Sequence, residues 1–327
     1  MSAENGIKKG TAFVSENTAA VSYNSKPTHL WKDIRVKPFV KWAGGKTQLL
    51  PTIQKAYPAE LGNTITKYAE PFVGGGAVLF DILSTYKLEK IFVSDINAEL
   101  INTYCVIRDE PEALISLLSE MEEEYLSKSK EEQKEIFYEH RKCFNFLKKS
   151  GVNKIELAAH FIFLNRTCFN GLYRVNRKGE FNVPIGSYKN PTILDAENLR
   201  NISVALDGVD IVCGDYHQST EFIDEQTFVY IDPPYRPLTE TASFTSYSEY
   251  DFDDDAQRGL ADFVRVIDKK GAKVLLSNSD PKNANPEDEF FDELYAGFII
   301  QRVSASRMIN RNGNARGKIK ELLISNF

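Results

Sequence analysis

The sequence predicts an α/β protein in which a parallel sheet with right-handed crossovers is interrupted by a mainly helical insert. Three observations carry this expectation. Short apolar, β-rich runs alternate with amphipathic stretches on both sides of a long helical region, the pattern of a parallel sheet. A cluster of glycines, Gly74 to Gly76, follows the first predicted strand directly and opens a helix. A later strand, Phe228 to Ile231, stops in an acid, two prolines and an aromatic ring, "DPPY". Open α/β sheets bind their ligands at such carboxyl ends.

The elements follow in order. Residues 1–35 are polar and without sustained period, and are expected to form a mobile leader. "KPFVKWAGGKTQLLPTI" is the first ordered feature. "TKYAEPF" reads as a strand, "VGGG" as a tight loop, "AVLFDILSTY" as an amphipathic helix, "KIFVSD" as the next strand and "NAELINTYCVIR" as the next helix. From about Glu110 to His160 helical patterns dominate, most periodically in "EEQKEIFYEHRKCFNFLKK". Alternation resumes with "DIVCGD", "TFVYID", "AKVLLSNS" and "FIIQRV", and "IKELLISNF" is expected to be the last, antiparallel edge strand.

Composition bounds the function. With 327 residues, 42% hydrophobic and 26% charged, the chain is ordinary for a globular protein of one large or two smaller domains. No apolar run is long enough to span a bilayer and the first residues lack the apolar core of a secretion signal, so a cytoplasmic location is expected. Cys105, Cys143, Cys168 and Cys213 are scattered without Cys-x-x-Cys spacing, and the four histidines lie far apart. Reduced thiols and no metal site are the expectation. The net charge of −6 does not announce a nucleic-acid binder, but charge is unevenly spread. "QRVSASRMINRNGNARGKIK" holds six cationic residues and no acid, and "NRTCFNGLYRVNRKGEFNVPIGSYK" mixes cations with aromatics. These are either two positive binding surfaces or ordinary surface loops.

The glycine loop fits neither common nucleotide motif. A Gly-x-Gly-x-x-Gly fingerprint beginning at Gly74 meets Leu79 where its third glycine belongs, and a P-loop ending in "GGKT" would need glycine at Val40. What remains is a loop after the first strand and an acid, Asp95, at the tip of the second, placed to accept hydrogen bonds from ribose hydroxyls. The pair describes a nucleoside ligand without pyrophosphate, and S-adenosylmethionine fits. Helix N-capping would explain Asp95 equally well.

In "TFVYIDPPYRPL", each proline holds its predecessor in extended geometry and offers no N–H, so the tip is rich in preset acceptors. A turn that ends a strand, with Tyr235 as packing, is the plain alternative.

Taken together, "KWAGGK" at 41–46, "EPFVGGG" at 70–76, "SDIN" at 94–97, "FNGLYRVNRKGEFNVPIG" at 169–186, "DPPY" at 232–235 and "SRMINRNGNARGKIKELLI" at 306–324 resemble, in order and spacing, the successive motifs of the Dam-like, D12-class DNA N6-adenine methyltransferases of the alpha, GATC-modifying group. The resemblance covers nearly everything from Lys37 onward. The chain departs from it in the long leader and at Ser187, where several relatives carry a basic residue.

The resemblance implies a Rossmann-like S-adenosylmethionine-dependent methyltransferase sheet domain, residues 36–105 and 195–327, into which a mainly helical target-recognition domain with a β-hairpin, residues 106–194, is inserted. It implies S-adenosylmethionine as cofactor, held by Trp42, Ala43, Gly44 and Lys46, with Glu70, Phe72 and Gly74 at the methionine end and Asp95 on the ribose. Ile96 and Tyr216 would flank the cofactor's adenine beside Asp215, and Asp232 would touch the cofactor as well. Catalysis would fall to Asp232, Pro233, Pro234 and Tyr235. Two acceptors at this tip would draw the N6 nitrogen of a flipped adenine toward tetrahedral geometry, and Tyr235 would stack on the base.

Lys41, Phe169, Asn170, Leu172, Arg174, Pro184, Arg307, Asn310 and Asn312 would face DNA. Of these, Arg174 stands near the start of an expected hairpin turning at "NRKG", where it reads a guanine or pairs with Glu180. Duplex DNA is the implied partner, with no membrane, a monomer on the DNA and a separately acting cognate restriction endonuclease as a compatible companion. GATC is the implied target, and relatives that modify GATATC share its first half. A methyltransferase for an RNA base or a protein glutamine, or an inactive sequence-specific DNA-binding relative, are the rival readings.

Overall fold

The computed structural model describes residues 35–236, 252–306 and 318–327. Among these, seven strands form one sheet: β1 (Lys67–Glu70), β2 (Lys90–Asp95), β3 (Asp210–Cys213), β4 (Thr227–Ile231), β5 (Lys273–Ser279), β6 (Ile299–Ser306) and β7 (Lys318–Ser325). Their order is β3-β2-β1-β4-β5-β7-β6. The first five are parallel, and β7 runs antiparallel to both β5 and β6.

The helices are α1 (Leu50–Ile53), α2 (Ala77–Thr85), α3 (Ala98–Asp109), α4 (Pro111–Leu126), α5 (Lys130–Ser150), α6 (Lys154–Thr167), α7 (Ala196–Ala205), α8 (Asp254–Lys269) and α9 (Phe290–Leu294). None in the described residues is long and apolar enough to cross a membrane.

Strand alternation divides the core. Tyr68, Phe228, Tyr230, Leu275 and Leu323 point to the face covered by α2 to α7, whereas Ala69, Val229, Ile231, Val274, Leu276, Leu322 and Ile324 point to the face covered by α8 and α9. Strand β4 is buried at all five positions, as its continuous apolar run requires.

One expectation is corrected here. The C-terminal strand is not an edge: β7 lies between β5 and β6, and β6 is the outer strand. The reason lies in side-chain burial. Leu322, Leu323 and Ile324 are consecutive and at most 2% exposed, so both faces of β7 need cover. Strand β6 instead exposes Ile299, Gln301 and Arg302, and an outward charge suits an edge.

The helical insert lies between β2 and β3 in the chain. A capping box, Ser129 with Glu132, starts α5, and Asn153 caps α6. Helix α3 runs continuously through residues 105 and 106, and the buried cluster on its face of the sheet includes side chains from α2 through α7. The segment after α6 folds back as a short hairpin, with antiparallel bridges Cys168–Ile185 and Val175–Phe181 and a turn closed by the Gly179 N–H donating to Asn176 O.

Candidate functional site

The sheet changes its direction of growth between β1 and β4: from β1 the chain proceeds to β2 and β3 on one side, then returns to β4 on the other. The crevice beyond the carboxyl ends of those two strands is the ligand site of such a sheet. Both expected motifs stand there, Glu70 to Gly76 after β1 and Asp232 to Tyr235 after β4.

The glycine loop is shaped by what crosses it. Gly74 and Gly76 have φ of 47° and 72°, a region that side chains with a Cβ enter at a cost. A Cβ on Gly74 would stand 2.8 Å from Trp42 Cδ1, so the indole closes over the loop because the residue is glycine. Trp42 stacks in turn on Tyr173 of the insert, centroids 6.0 Å apart. The Tyr104 hydroxyl donates to Gly74 O at 3.0 Å, and the Gly74 N–H donates to Asp95 Oδ2 at 3.0 Å.

Asp95 is not the helix cap. Asn97 caps α3 by accepting from the Leu100 N–H at 2.8 Å, while Asp95 Oδ1 accepts from the Asn97 N–H at 2.9 Å. The reason is geometric: Asp95 still belongs to β2, two residues before the cap, so its carboxylate spans the gap between the β1 and β2 tips. Burial pushes its carboxyl up from the ordinary range, against the pull of those backbone donors.

Lys46 joins the first motif to the last. The residue is 4% exposed, and its Nζ donates to both carboxylate oxygens of Asp232, at 2.6 and 2.7 Å, to Tyr235 Oη at 2.9 Å and to Gly44 O at 2.9 Å. Ala43 and Gly44 form the exposed turn that brings this lysine inward. Ser277 Oγ donates to Asp232 Oδ1 at 3.0 Å, and the Tyr235 hydroxyl donates to Glu321 Oε2 at 2.9 Å. Of the two proline carbonyls, Pro234 O accepts from Gln257 Nε2 at 3.1 Å, whereas Pro233 O has no hydrogen-bond donor among the described residues.

Glu70, 2% exposed, accepts from the Tyr68 hydroxyl at 2.6 Å. Burial pushes its carboxyl from 4.5 up to about 8, the Tyr68 hydrogen bond opposes this and the Asp232 charge adds to it. Burial thus favours its neutral form, and a cation brought beside it would favour its anion.

At the β2 and β3 tips, Ile96 is 53% exposed, and Phe72 stacks on Tyr216 with centroids 5.6 Å apart. Asp215 accepts from the His217 N–H at 2.9 Å and so starts the turn that carries Tyr216.

The expected DNA-facing residues divide into two groups. Lys41 is stapled to the insert by buried Asn165, which accepts from the Lys41 N–H and donates to Lys41 O and Gly171 O, at 2.8, 2.8 and 2.9 Å. This places Lys41 beside Phe169, Asn170 and Leu172. The Phe169 N–H donates to Pro184 O at 2.9 Å, and Phe169, Asn170, Arg174 and Pro184 are all exposed. Arg174 Nε donates to Asn182 Oδ1 at 2.8 Å. The alternative pairing of Arg174 with Glu180 is not found: Glu180 bonds Lys149 at 2.6 Å and Asn176 at 3.1 Å. Arg307, Asn310 and Asn312 lie outside the described residues.

Three residues of the site were not foreseen from the sequence: Asn165, Ser277 and Glu321. Each left a trace as a polar residue inside or against an apolar run, in "FIFLNRT", "VLLSNS" and "KELLI". A buried polar side chain must find a partner, so such positions were worth marking.

A family model described as D12 class N6 adenine-specific DNA methyltransferase matches residues 42–309. The type II methyltransferase M.MjaIII of Methanocaldococcus jannaschii is 52% identical over 297 residues, 90% of this chain and 100% of that protein. The type II methyltransferase M1.LlaDCHI of Lactococcus lactis is 38% identical, over 90% of this chain and 96% of that protein. A DNA adenine methylase of Haemophilus influenzae is 34% identical, over 91% of this chain and 96% of that protein.

Proposed function

The chain belongs to the D12 class of N6 adenine-specific DNA methyltransferases, and from that premise we propose that it methylates the adenine of GATC, turned out of the duplex, with S-adenosylmethionine as the methyl donor. The RNA-base and protein-glutamine readings fall with family membership. The observation that carries the proposal is the pair of acceptors at the β4 tip, the Asp232 carboxylate and the Pro233 carbonyl, which has no donor among the described residues, set in the switch-point crevice beside the glycine loop.

The residues fit the cofactor. Trp42 closes over Gly74 where a Cβ would collide with it, Asp95 holds a carboxylate across the loop, and buried Glu70 offers a carboxyl whose anion the cationic end of an amino acid would favour. In this reading Trp42, Ala43, Gly44, Lys46, Glu70, Phe72 and Gly74 hold the methionine portion. Asp95 takes the ribose, and Ile96, Asp215 and Tyr216 bound the nucleobase. When bound, the cofactor supplies an electrophilic sulfonium methyl.

The N6 lone pair of adenine is delocalised into the ring and is a weak nucleophile. Asp232 Oδ2 and Pro233 O each accept one N6 hydrogen, the nitrogen pyramidalises, and its lone pair is freed toward the methyl. Pro233 and Pro234 fix the backbone at this tip, so the acceptors need no reorganisation. As the N6–CH3 bond formed, the methyl–sulfur bond would break to leave a neutral thioether, and the proton leaving N6 would pass to the Asp232 carboxylate that accepts its hydrogen bond. Tyr235 stacks on the extruded base, whose unstacking costs a few kcal/mol. Residues 106–194 serve as the target-recognition unit, with the 168–185 hairpin presented to the major groove.

The test is methyl incorporation into duplexes carrying one GATC, with wild type and Asp232→Ala. Wild type should modify the GATC adenine, and folded Asp232→Ala should lose at least about 10²–10³ in rate. Near wild-type turnover in the variant would overturn the mechanism, and N6-methyladenine outside GATC would overturn the target.

A further inference from the structure

We infer that Ser277 on β5 and Glu321 on β7, two residues outside the catalytic strand, position the catalytic pair Asp232 and Tyr235 for methyl transfer. The inference rests on the mechanism proposed above for those two residues.

Strand β4 ends at Ile231, and the residues that would touch the base lie beyond it in irregular backbone. Hydrogen bonds within a strand ladder cannot hold them, so their side chains must be held from neighbouring elements. The sheet register supplies the means. Tyr230 pairs with Leu275 and Ile231 with Leu276, which puts Ser277 level with Asp232. Across the next ladder Ser277 pairs with Leu323 and Ser279 with Glu321. Because side chains alternate, Tyr230, Asp232, Ser277 and Glu321 share one face, with Glu321 one pleat further toward the tip.

The contacts follow from that register. Ser277 is fully buried, and its Oγ is fixed between the Tyr230 hydroxyl at 3.0 Å and Asp232 Oδ1 at 3.0 Å. The Tyr230 hydroxyl, itself buried, satisfies the serine on one side, so the serine proton is directed at the carboxylate. Asp232 Oδ1 then accepts from both Ser277 and Lys46, which fills its two lone-pair directions, whereas among the described residues Oδ2 accepts from Lys46 alone. Oδ2 is therefore the oxygen with capacity for an N6 hydrogen. Glu321 does the equivalent for the ring. The Tyr235 hydroxyl donates to Glu321 at 2.9 Å and accepts from Lys46 at 2.9 Å, so the far end of the ring is fixed from two sides.

The arrangement gives the antiparallel β7 a second task. By lying beside β5, it brings a carboxylate to the tip of the strand two places away, where an edge position would leave it out of reach.

A positioning residue acts only through the group it holds, and coupled variants test that. The measurement uses whichever adenine site the wild-type enzyme methylates fastest, so a target other than GATC leaves it intact. Ser277→Ala and Glu321→Ala should each lower kcat, by up to about 10²-fold for a misplaced acceptor or ring, with KM for DNA and for S-adenosylmethionine changed less than about twofold. Glu321→Gln, whose amide oxygen can accept from the tyrosine hydroxyl, should regain most of the lost rate. Glu321→Ala made in a Tyr235→Phe background, where no hydroxyl remains to be held, should lose nothing further.

Duplex with 2-aminopurine at the target position gives a readout independent of turnover. Its fluorescence on binding should differ between Glu321→Ala and wild type, with Glu321→Gln matching wild type. Thermal melts establish folding, and Tyr230→Phe tests the serine chain from its other end if Ser277→Ala does not fold. Full additivity of Glu321→Ala with Tyr235→Phe, or loss expressed in KM with kcat intact, would overturn the inference. Loss of methylation in Asp232→Ala together with wild-type kcat in both Ser277→Ala and Glu321→Ala would leave the mechanism standing and the positioning role refuted.

Discussion

Lys46 Nζ lies 2.6 and 2.7 Å from the two carboxylate oxygens of Asp232, a residue 186 positions later in the chain. The pair ties the "KWAGGK" segment to the "DPPY" tip, and an N6 hydrogen at Oδ2 would share that oxygen with the ammonium.

The pair is unequally buried, lysine 4% and aspartate 20% exposed. Lys46→Met leaves the Asp232 charge unpaired, near buried Glu70. The cost should fall at or below the lower end of the ~3–5 kcal/mol seen when one partner of a buried pair is removed, since water still reaches the carboxylate. Lys46→Met with Asp232→Asn should recover most of that stability and none of the turnover. Urea unfolding and methyl-transfer rates on the three proteins check this, and equal stability of the single and double variants would refute it.

Glu70 makes stability depend on pH with a definite sign. In the folded protein its carboxyl titrates at about 8 rather than 4.5, because burial disfavours its charge. Between those values the folded state holds a proton that the unfolded chain has lost, so stability falls as pH rises through the window and levels off above it. The groups facing Glu70 include the Tyr68 phenol, the Asp232 carboxylate and the Lys46 ammonium, with the phenols of Tyr57, Tyr104 and Tyr230 also within reach of its charge. Glu70→Gln removes the titration and keeps an oxygen for Tyr68. Its stability relative to wild type should therefore climb with pH by up to about 1.4 kcal/mol per unit, reaching a plateau near pH 8. Urea midpoints at pH 5, 6.5 and 8 measure it, and parallel curves for the two proteins would be the contrary result.

Gly76 tests whether the loop is shaped as described. Its φ is 72°, and a Cβ there would collide with the Tyr104 hydroxyl and stand 3.0 Å from Phe80 Cε2. Backbone strain and overpacking together should make Gly76→Ala cost about 2–5 kcal/mol. Adding Tyr104→Phe removes the collision and leaves the strain, so it should return only part. A cost below about 0.5 kcal/mol, the level of an ordinary surface substitution, would contradict the loop geometry.

Much of this was legible because it is local. The short apolar runs and helical patterns place the strands and α2 to α6, and "DPPY" announces its own geometry through proline. What was not legible depends on register between distant segments. Nothing local says that Glu321 meets Tyr235, or that Asn165 bonds Lys41; both follow from pairings set by the folded sheet and by helix packing. The inner position of β7 was within reach, since the consecutive apolar run "LLI" contradicts an edge. Capping stood open for Asp95 because "DINAEL" offers two capping residues, and strand length decides that the second, Asn97, is used.

Arg174 carries the prediction about sequence preference. It lies on the first arm of the hairpin bridged by Val175 and Phe181, opposite Asn182, whose N–H donates to Arg174 O at 3.1 Å. The Nε bond to Asn182 Oδ1 fixes the plane of the guanidinium, and the two terminal nitrogens have no acceptor among the described residues. A planar fork held by its inner nitrogen and open at its outer pair is the shape that meets guanine O6 and N7 together. The neighbouring acid does not compete, since Glu180 is held by Lys149 and Asn176. If Arg174 reads the guanine that precedes the methylated adenine, Arg174→Ala should lose about 1–3 kcal/mol of discrimination at that base pair. Arg174→Lys should not restore it, because a point charge cannot make two parallel bonds. Asn182→Ala should give an intermediate loss, with the fork present but less firmly oriented. Methylation rates on duplexes that place each of the four bases before the target ATC measure the discrimination directly. An unchanged first-base preference in Arg174→Ala, or full rescue by lysine, would mean that this arginine touches phosphate and the guanine is read elsewhere.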